Sequence, residues 1–282
     1  MTWERFGYIC RKVAAGIRED ETVSDCIGRV EKSESCAYYG DPLHRRSLPK
    51  KILDKVALID SKERALATLN IYQEFDLVEK FEEPIRFKRV VAYLSYVTFI
   101  FYIVVGIYQV KVAPTFLNAF NDFELSVPRH LGWYQDYWGY IVLVVSILLI
   151  ASLVIGHNLR KLFRFDLGIE NGFVFKYLVF RSIRTSYKKV MDILQFPISE
   201  AGEPEENRSS ELVNHLKEVE ASEMSVAVEM QALLRVQMRV LLEKSEQQMK
   251  LISVFVALVV VTAIFFFLAS AYSPIFFLGE IV

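Results

Sequence analysis

The chain has 282 residues, 53% hydrophobic and 24% charged, so its apolar excess is gathered into segments rather than spread. Lys and Arg (33) balance Asp and Glu (34) to a net charge of −1, which leaves no surplus positive charge for phosphates and argues against a nucleic-acid binder. The three cysteines, Cys10, Cys26 and Cys36, are an odd and widely spaced set, a poor disulfide framework that reads as reduced, semi-buried thiols.

Residues 1–34 read as helical, and the first twenty lack the continuous apolar core of a secretory signal. Thr22-Val23-Ser24-Asp25 has the capping-box form, followed by Val23, Ile27 and Val30 at helical spacing. Glu34 to Pro49 reads as a loop from its Gly, Pro and Ser content. A helix begins near Pro49 with Ile52, Leu53, Val56 and Ile59 on one face. Asp60-Ser61-Lys62-Glu63 marks a turn and a restart, because an acidic residue suits the first turn of a helix. Leu66, Leu69, Ile71, Tyr72 and Phe75 continue that pattern toward Arg86, and Pro84 bends the approach to the next segment.

Val90 to Val110 then carries no charge over 21 residues, enough helix at about 1.5 Å per residue to cover a hydrocarbon core of roughly 30 Å. Gly139 to Gly156 and Leu251 to Ala271 are two further uncharged runs, and strands stop at about ten residues. The fold class is therefore all-α, a polytopic membrane protein with three transmembrane helices. Its predicted parts are a helical domain over 1–88, spans over 89–112, 139–157 and 251–271, an aromatic loop over 113–138, a second helical domain over 158–250 and a tail over 272–282. Within the second domain, Gly168 to Leu194 reads as one or two helices, 197–210 as a polar loop, and Ser209 or Ser210 as the cap of a helix carrying Leu212, Val213, Leu216 and Val219.

Lys and Arg beside the spans set the orientation. Arg86, Lys88, Arg89, Arg160, Lys161, Arg164, Lys244 and Lys250 flank one side, whereas the loop from Lys111 to Trp138 has only Lys111 and Arg129 and the tail has neither residue type. Both helical domains are expected in the cytoplasm, with the loop and C-terminus outside. Trp133, Tyr134, Tyr137, Trp138 and Tyr140 would form an interfacial belt where the second span leaves the outer face.

The two helical domains echo each other. Setting Asp60 against Glu220 aligns apolar positions and sets Glu63 against Glu223, with 30 and 31 residues to the following span. Asp60, Glu63, Glu220 and Glu223 are thus candidates for partner contact or a metal, although a carboxylate near a helix start needs neither.

The stretch from Val112, VAPTFLNAFNDFELSVPRH, resembles the Pro-x-Phe-x₃-Phe-x₂-Phe…Pro segment of type II secretion and type IV pilus inner-membrane platform proteins (the GspF/PilC family), through Pro114, Phe116, Phe120, Phe123 and Pro128. The ending SPIFFLGEIV is similar to that family's Pro-Ile/Leu-Phe-x-x-Gly through Pro274, Ile275, Phe276 and Gly279. The family usually has Gly-Glu-x-x-Gly at the turn of each cytoplasmic unit; here Ile59 to Glu63 and Val219 to Glu223 keep the acid but neither glycine, so the chain reads as a short divergent member. The resemblance implies two related cytoplasmic helical-bundle domains in a non-enzymatic platform of the bacterial inner membrane. Its implied partners are a cytoplasmic assembly ATPase, pilins or pseudopilins, other inner-membrane assembly proteins and further copies of itself.

Read from the residues alone, Phe116, Phe120 and Phe123 share one helical face, against lipid headgroups or partner helices. His44, His130, His157 and His215 make no metal-ligand spacing, and no Gly-rich phosphate loop, G-x-S-x-G elbow or Cys-x-x-Cys pair occurs, so neither catalysis nor a cofactor is expected. The uncharged runs Val90–Val110, Gly139–Gly156 and Leu251–Ala271 hold no Asp, Glu, Lys, Arg or His, which weighs against the alternative of a transporter subunit; a membrane sensor is the other alternative.

Overall fold

The computed structural model describes residues 2–73, 85–122, 124, 129–163, 165, 168–199 and 211–281, and every helix or strand among them is a helix. In chain order these are α1 (Thr2–Gly16), α2 (Val23–Glu31), α3 (Glu34–Ala37), α4 (Leu48–Ala57), α5 (Lys62–Gln73) and α6 (Ile85–Ile107). A π-helical stretch, Tyr108–Val112, leads into α7 (Ala113–Asp122), followed by α8 (Arg129–Leu162). A 3₁₀ turn, Ile169–Asn171, precedes α9 (Phe173–Tyr177), α10 (Arg181–Ser199), α11 (Glu211–Ala221) and α12 (Val226–Ile281).

The chain divides into two compact units, one of Met1–Pro84 with Asn158–Ser245 and one of Ile85–His157 with Glu246–Val282. The two charge-rich segments, expected as separate domains, thus group in a single polar unit. Its core explains why. Phe6, Ile9 and Val13 of α1, Ile52 and Val56 of α4, Leu69 and Tyr72 of α5, and Ile183, Val190 and Leu194 of α10 are all buried. Fully burying an apolar side chain stabilises by about 1.5–3 kcal/mol, and short amphipathic helices draw most of their stability from such packing.

Local signals hold within this unit. Thr22 caps α2, its Oγ1 accepting from the Asp25 backbone N–H at 3.1 Å while its hydroxyl donates to the Asp25 carboxylate at 2.6 Å. Pro49 occupies the first turn of α4, where its missing N–H costs nothing. Residues 17–22 separate α1 from α2, whose start is the one that the capping box at Thr22 marks, and α3 interrupts the expected loop after Glu34. α10 runs to Ser199 through Pro197, so the predicted polar loop begins later than 197; residues 200–210, with the expected caps Ser209 and Ser210, lie outside the described residues, as do Phe75 and Pro84.

Among the described residues three helical stretches, each belonging wholly or in part to the apolar unit, are long and apolar enough to cross a membrane: Arg89–Asp122, Asp136–Leu162 and Val226–Ala269. At most 28% of the apolar window of each is buried, so most of the hydrophobic surface points outward. Leu258, Val261 and Phe265 are more than 60% exposed, an arrangement that suits hydrocarbon and not water. The buried stripe of α12 in this unit is Met249, Val256, Val260, Ala263 and Phe267, the three-and-four spacing of a coiled-coil seam. Phe267 stacks on Tyr108 (5.7 Å between ring centres) and lies 6.4 Å from Phe101. The connection expected as a loop over 113–138 is largely helical, α7 and α8 occupying most of it, and the expected tail continues α12 to Ile281.

Candidate functional site

Two helix–turn–helix hairpins carry the acidic candidates, both in the polar unit. In the first, α4 closes with backbone hydrogen bonds from Leu58 N to Lys55 O and from Ile59 N to Val56 O, and Ser61 opens α5 by accepting from Ala65 N at 3.0 Å. In the second, Ser225 opens α12 in the same way, accepting from Glu229 N at 3.2 Å. The hydroxyls of Ser61 and Ser225 each accept from the N–H three residues on, at 3.4 Å in both cases. The equivalent caps are therefore Ser61 and Ser225, four residues away from the register that sets Asp60 against Glu220. Asp60 lies in its turn, whereas Glu220 is still inside α11.

The turns differ in backbone. α11 ends with a Schellman pattern: Glu223 N–H reaches Glu220 O (3.1 Å), Met224 N–H reaches Val219 O (3.2 Å), and Glu223 itself is left-handed at φ 56°. Among the described residues the first turn has no positive φ; Leu58 ends α4 at φ −90°. The conformation that a glycine would supply is present in the second hairpin and is taken there by a glutamate.

Asp60, Glu63, Glu220 and Glu223 are all exposed. Each acidic turn also presents an apolar side chain to solvent, Leu58 (80% exposed) in the first and Met224 (58%) with Val228 in the second. Acids beside an uncovered apolar residue make a surface suited to a protein partner, with the apolar group as anchor. The patterning places Leu58 beyond the buried face of α4, but sequence reasoning passed over it and Met224 because neither carries charge. His215 on α11 lies 3.1 Å from Glu229 on α12, joining the arms of the second hairpin.

Among the described residues no group of three His, Cys, Asp or Glu side chains is placed to hold a metal ion. Cys10, Cys26 and Cys36 are free and buried. Burial pushes all three thiols upward, furthest for Cys10, so thiolate chemistry is suppressed.

Of the aromatic motif, Phe116 and Phe120 lie one turn apart on α7, with Phe120 buried and Phe116 half-buried, while Pro114 is exposed in its first turn. Phe123 and Pro128 lie outside the described residues. Pro274, Ile275, Phe276 and Gly279 fall on the last turns of α12, whose backbone alone is described there. Compared with protein-family models, curated proteins and solved structures, the chain matches none of them.

Proposed function

We propose that the chain is a non-enzymatic inner-membrane platform for assembly of a type IV pilus or a type II secretion pseudopilus. The observation that carries this reading is the left-handed Glu223. In the resemblance drawn above, Val219 to Glu223 stands where the family has Gly-Glu-x-x-Gly, and Glu223 takes the place of the second glycine. A φ of 56° is what that glycine would provide, so the backbone keeps what the side chain has lost. The three membrane-length helices and the Phe116–Phe120 face on α7 support the same reading.

In this reading the polar unit is cytoplasmic, by the Lys and Arg bias beside the spans, and residues 113–138 and Val282 are periplasmic. The exposed turns around Leu58, Asp60 and Glu63 and around Glu220, Glu223 and Met224 dock the assembly ATPase. The spans, in a homo-oligomer with other inner-membrane assembly proteins, guide pilin or pseudopilin helices out of the bilayer. The platform's work is to couple one partner's motion to another's, and it needs no cofactor.

The deciding experiment is affinity capture of the full chain from detergent, probed for an assembly ATPase and a prepilin. The variant Asp60→Lys/Glu63→Lys, altered only at exposed positions, should lose the ATPase while keeping the pilin. Capture of neither partner, or a cytoplasmic signal from reporters fused after Glu124 or Val282, would defeat the proposal in favour of a transporter subunit or sensor.

A further inference from the structure

The stretch from Gly172 to Lys189, within the polar unit, belongs to neither acidic turn and to no span. It contains no Asp or Glu, while Lys176, Arg181, Arg184, Lys188 and Lys189 give it five cations. Its inner face is firmly seated. Phe175, Val179, Ile183 and Tyr187 are buried, with Tyr187 stacked parallel to Phe165 (5.8 Å) and edge-on to Phe175 (5.7 Å). Its outer face is of the opposite kind. Phe173 is 70% exposed, Tyr177 64% and Phe180 44%, and the rings of Phe173 and Tyr177 sit 4.8 Å apart as one patch.

Beside this patch is an open cleft of about 310 Å³, lined by Glu170, Phe175, Arg181, Arg184, Thr185 and Lys188. Among the described lining residues three cations stand against one carboxylate, an excess of two positive charges. Among the described residues none of the three cations is ion-paired. Arg184 is fixed by donating from Nη1 to the Lys176 carbonyl at 2.6 Å, and its buried Nε has no hydrogen-bond partner among the described residues. Lys176 lies over the Tyr177 ring at 5.6 Å. Exposed aromatic rings that rest at a lipid–water boundary, ringed by cations that attract acidic headgroups, are complementary to an anionic bilayer surface. Chain length agrees: ten residues separate Phe173 from Leu162, where the second membrane-length helix ends, so the patch lies within about 40 Å of that helix end.

We infer that α9 and the start of α10 form a lipid-docking surface, with Phe173, Tyr177 and Phe180 entering the headgroup region of an anionic membrane and the Arg181–Arg184–Lys188 cleft taking a phospholipid phosphate. Each cation adds attraction to an acidic surface, so three of them, with the rings, hold the segment down only where acidic lipid is present. The surface would brace the polar unit against the bilayer and is independent of the acidic turns.

The test uses the full chain in nanodiscs, of phosphatidylcholine alone or with about one-third phosphatidylglycerol. A nitroxide is placed at Tyr177→Cys; the three native cysteines are buried, and the unsubstituted chain serves as the labelling blank. Collision with oxygen against a water-soluble nickel chelate reports depth. The label should favour oxygen in the acidic discs, and lose that preference in phosphatidylcholine, in high salt and in the variant Arg181→Gln/Lys188→Gln, which keeps the Arg184 contact to α9. Excess inorganic phosphate, which offers the same oxygens without a surface, should leave the label in place. Three results would overturn the inference: nickel access as free as in water in acidic discs; an oxygen preference indifferent to lipid charge; or shielding from both reagents, which marks a second copy or another protein as the occupant.

Discussion

The hydroxyl of Tyr72, at the end of α5, donates to the backbone carbonyl of Leu194 in α10, 2.7 Å away in space and 122 residues on in sequence. Tyr72 is fully buried, with the Phe6 ring edge-on to it at 5.5 Å, and burial holds its phenol well above its usual range. The contact crosses from the segment before the first span to the segment after the second, inside one core. Tyr72→Phe keeps the ring and deletes the donor, and should cost about 0.5–1.5 kcal/mol. Tyr72→Ala should cost about 3–5 kcal/mol. A fluorogenic thiol dye reads this directly, because all three cysteines are buried in the polar unit. If Tyr72→Ala leaves the dye-reported midpoint unchanged, the two segments do not share a core.

A second expectation concerns the turn between α11 and α12. Glu223 occupies the left-handed region as a β-carbon-bearing residue, which costs on the order of 1 kcal/mol. Glu223→Gly removes that cost and should raise the midpoint of the polar unit, whereas Glu223→Val, branched at the β-carbon, should lower it. The matching change Glu63→Gly should do the opposite of Glu223→Gly, because Glu63 is inside the first turn of α5, where glycine loses about 1 kcal/mol of helix propensity. Opposite signs at two positions aligned by sequence would separate backbone need from sequence echo.

That contrast shows what the sequence made legible. Charge-free runs of 18 to 21 residues give the three long helices, since a helix of about that length satisfies its own backbone across a bilayer. The Thr22 cap and the restart after Asp60 follow from local hydrogen bonding and were equally readable. The single polar unit was not, because the hydrogen bond from Tyr72 to Leu194 and the shared burial of α4, α5 and α10 join residues with no local relation. The register of the two hairpins was misread by four residues for a related reason. An acidic residue marks the neighbourhood of a helix start, but the serine hydroxyls of Ser61 and Ser225 fix it. Leu58 and Met224 escaped notice because exposure is decided by what fails to pack over a side chain.

Glu21 and Arg29 give a pH-dependent expectation. The Arg29 guanidinium donates to both carboxylate oxygens of Glu21, at 2.8 and 2.7 Å, and this hydrogen bonding holds the Glu21 carboxyl down at about 2, against an ordinary 4.5. A carboxyl depressed in the folded state contributes stability that is present above 4.5 and is lost as pH falls toward about 2. The Arg29 side chain is nearly half exposed, so the effect is modest and salt-sensitive. Circular dichroism melts in detergent should therefore show the chain losing midpoint faster than Glu21→Gln across that window, the two curves running parallel above it. Parallel curves throughout would mean the pair contributes nothing.

The last expectation tests packing in the apolar unit, at Gly156 of α8. A β-carbon built there would meet Val91 Cγ2 of α6 at 3.1 Å and Met249 Cε of α12 at 3.2 Å, so this glycine marks the place where three helices crowd together. Small residues matter more at such a point in lipid than in water, because close van der Waals approach replaces the hydrophobic drive between helices. Both contacted atoms are ends of side chains, and that of Met249 is flexible. Gly156→Ala asks them to yield by a few tenths of an ångström and gains helix propensity worth about 1 kcal/mol, so its net effect should be close to zero. Gly156→Leu adds three more carbons with nowhere to go, and overpacking of that kind costs about 1–3 kcal/mol. Heating the detergent-solubilised variants and measuring the fraction that still elutes as a single species separates the cases. Alanine should match the parent and leucine should aggregate at lower temperature. Equal survival of Gly156→Leu would show that α6, α8 and α12 do not close on one another at this point.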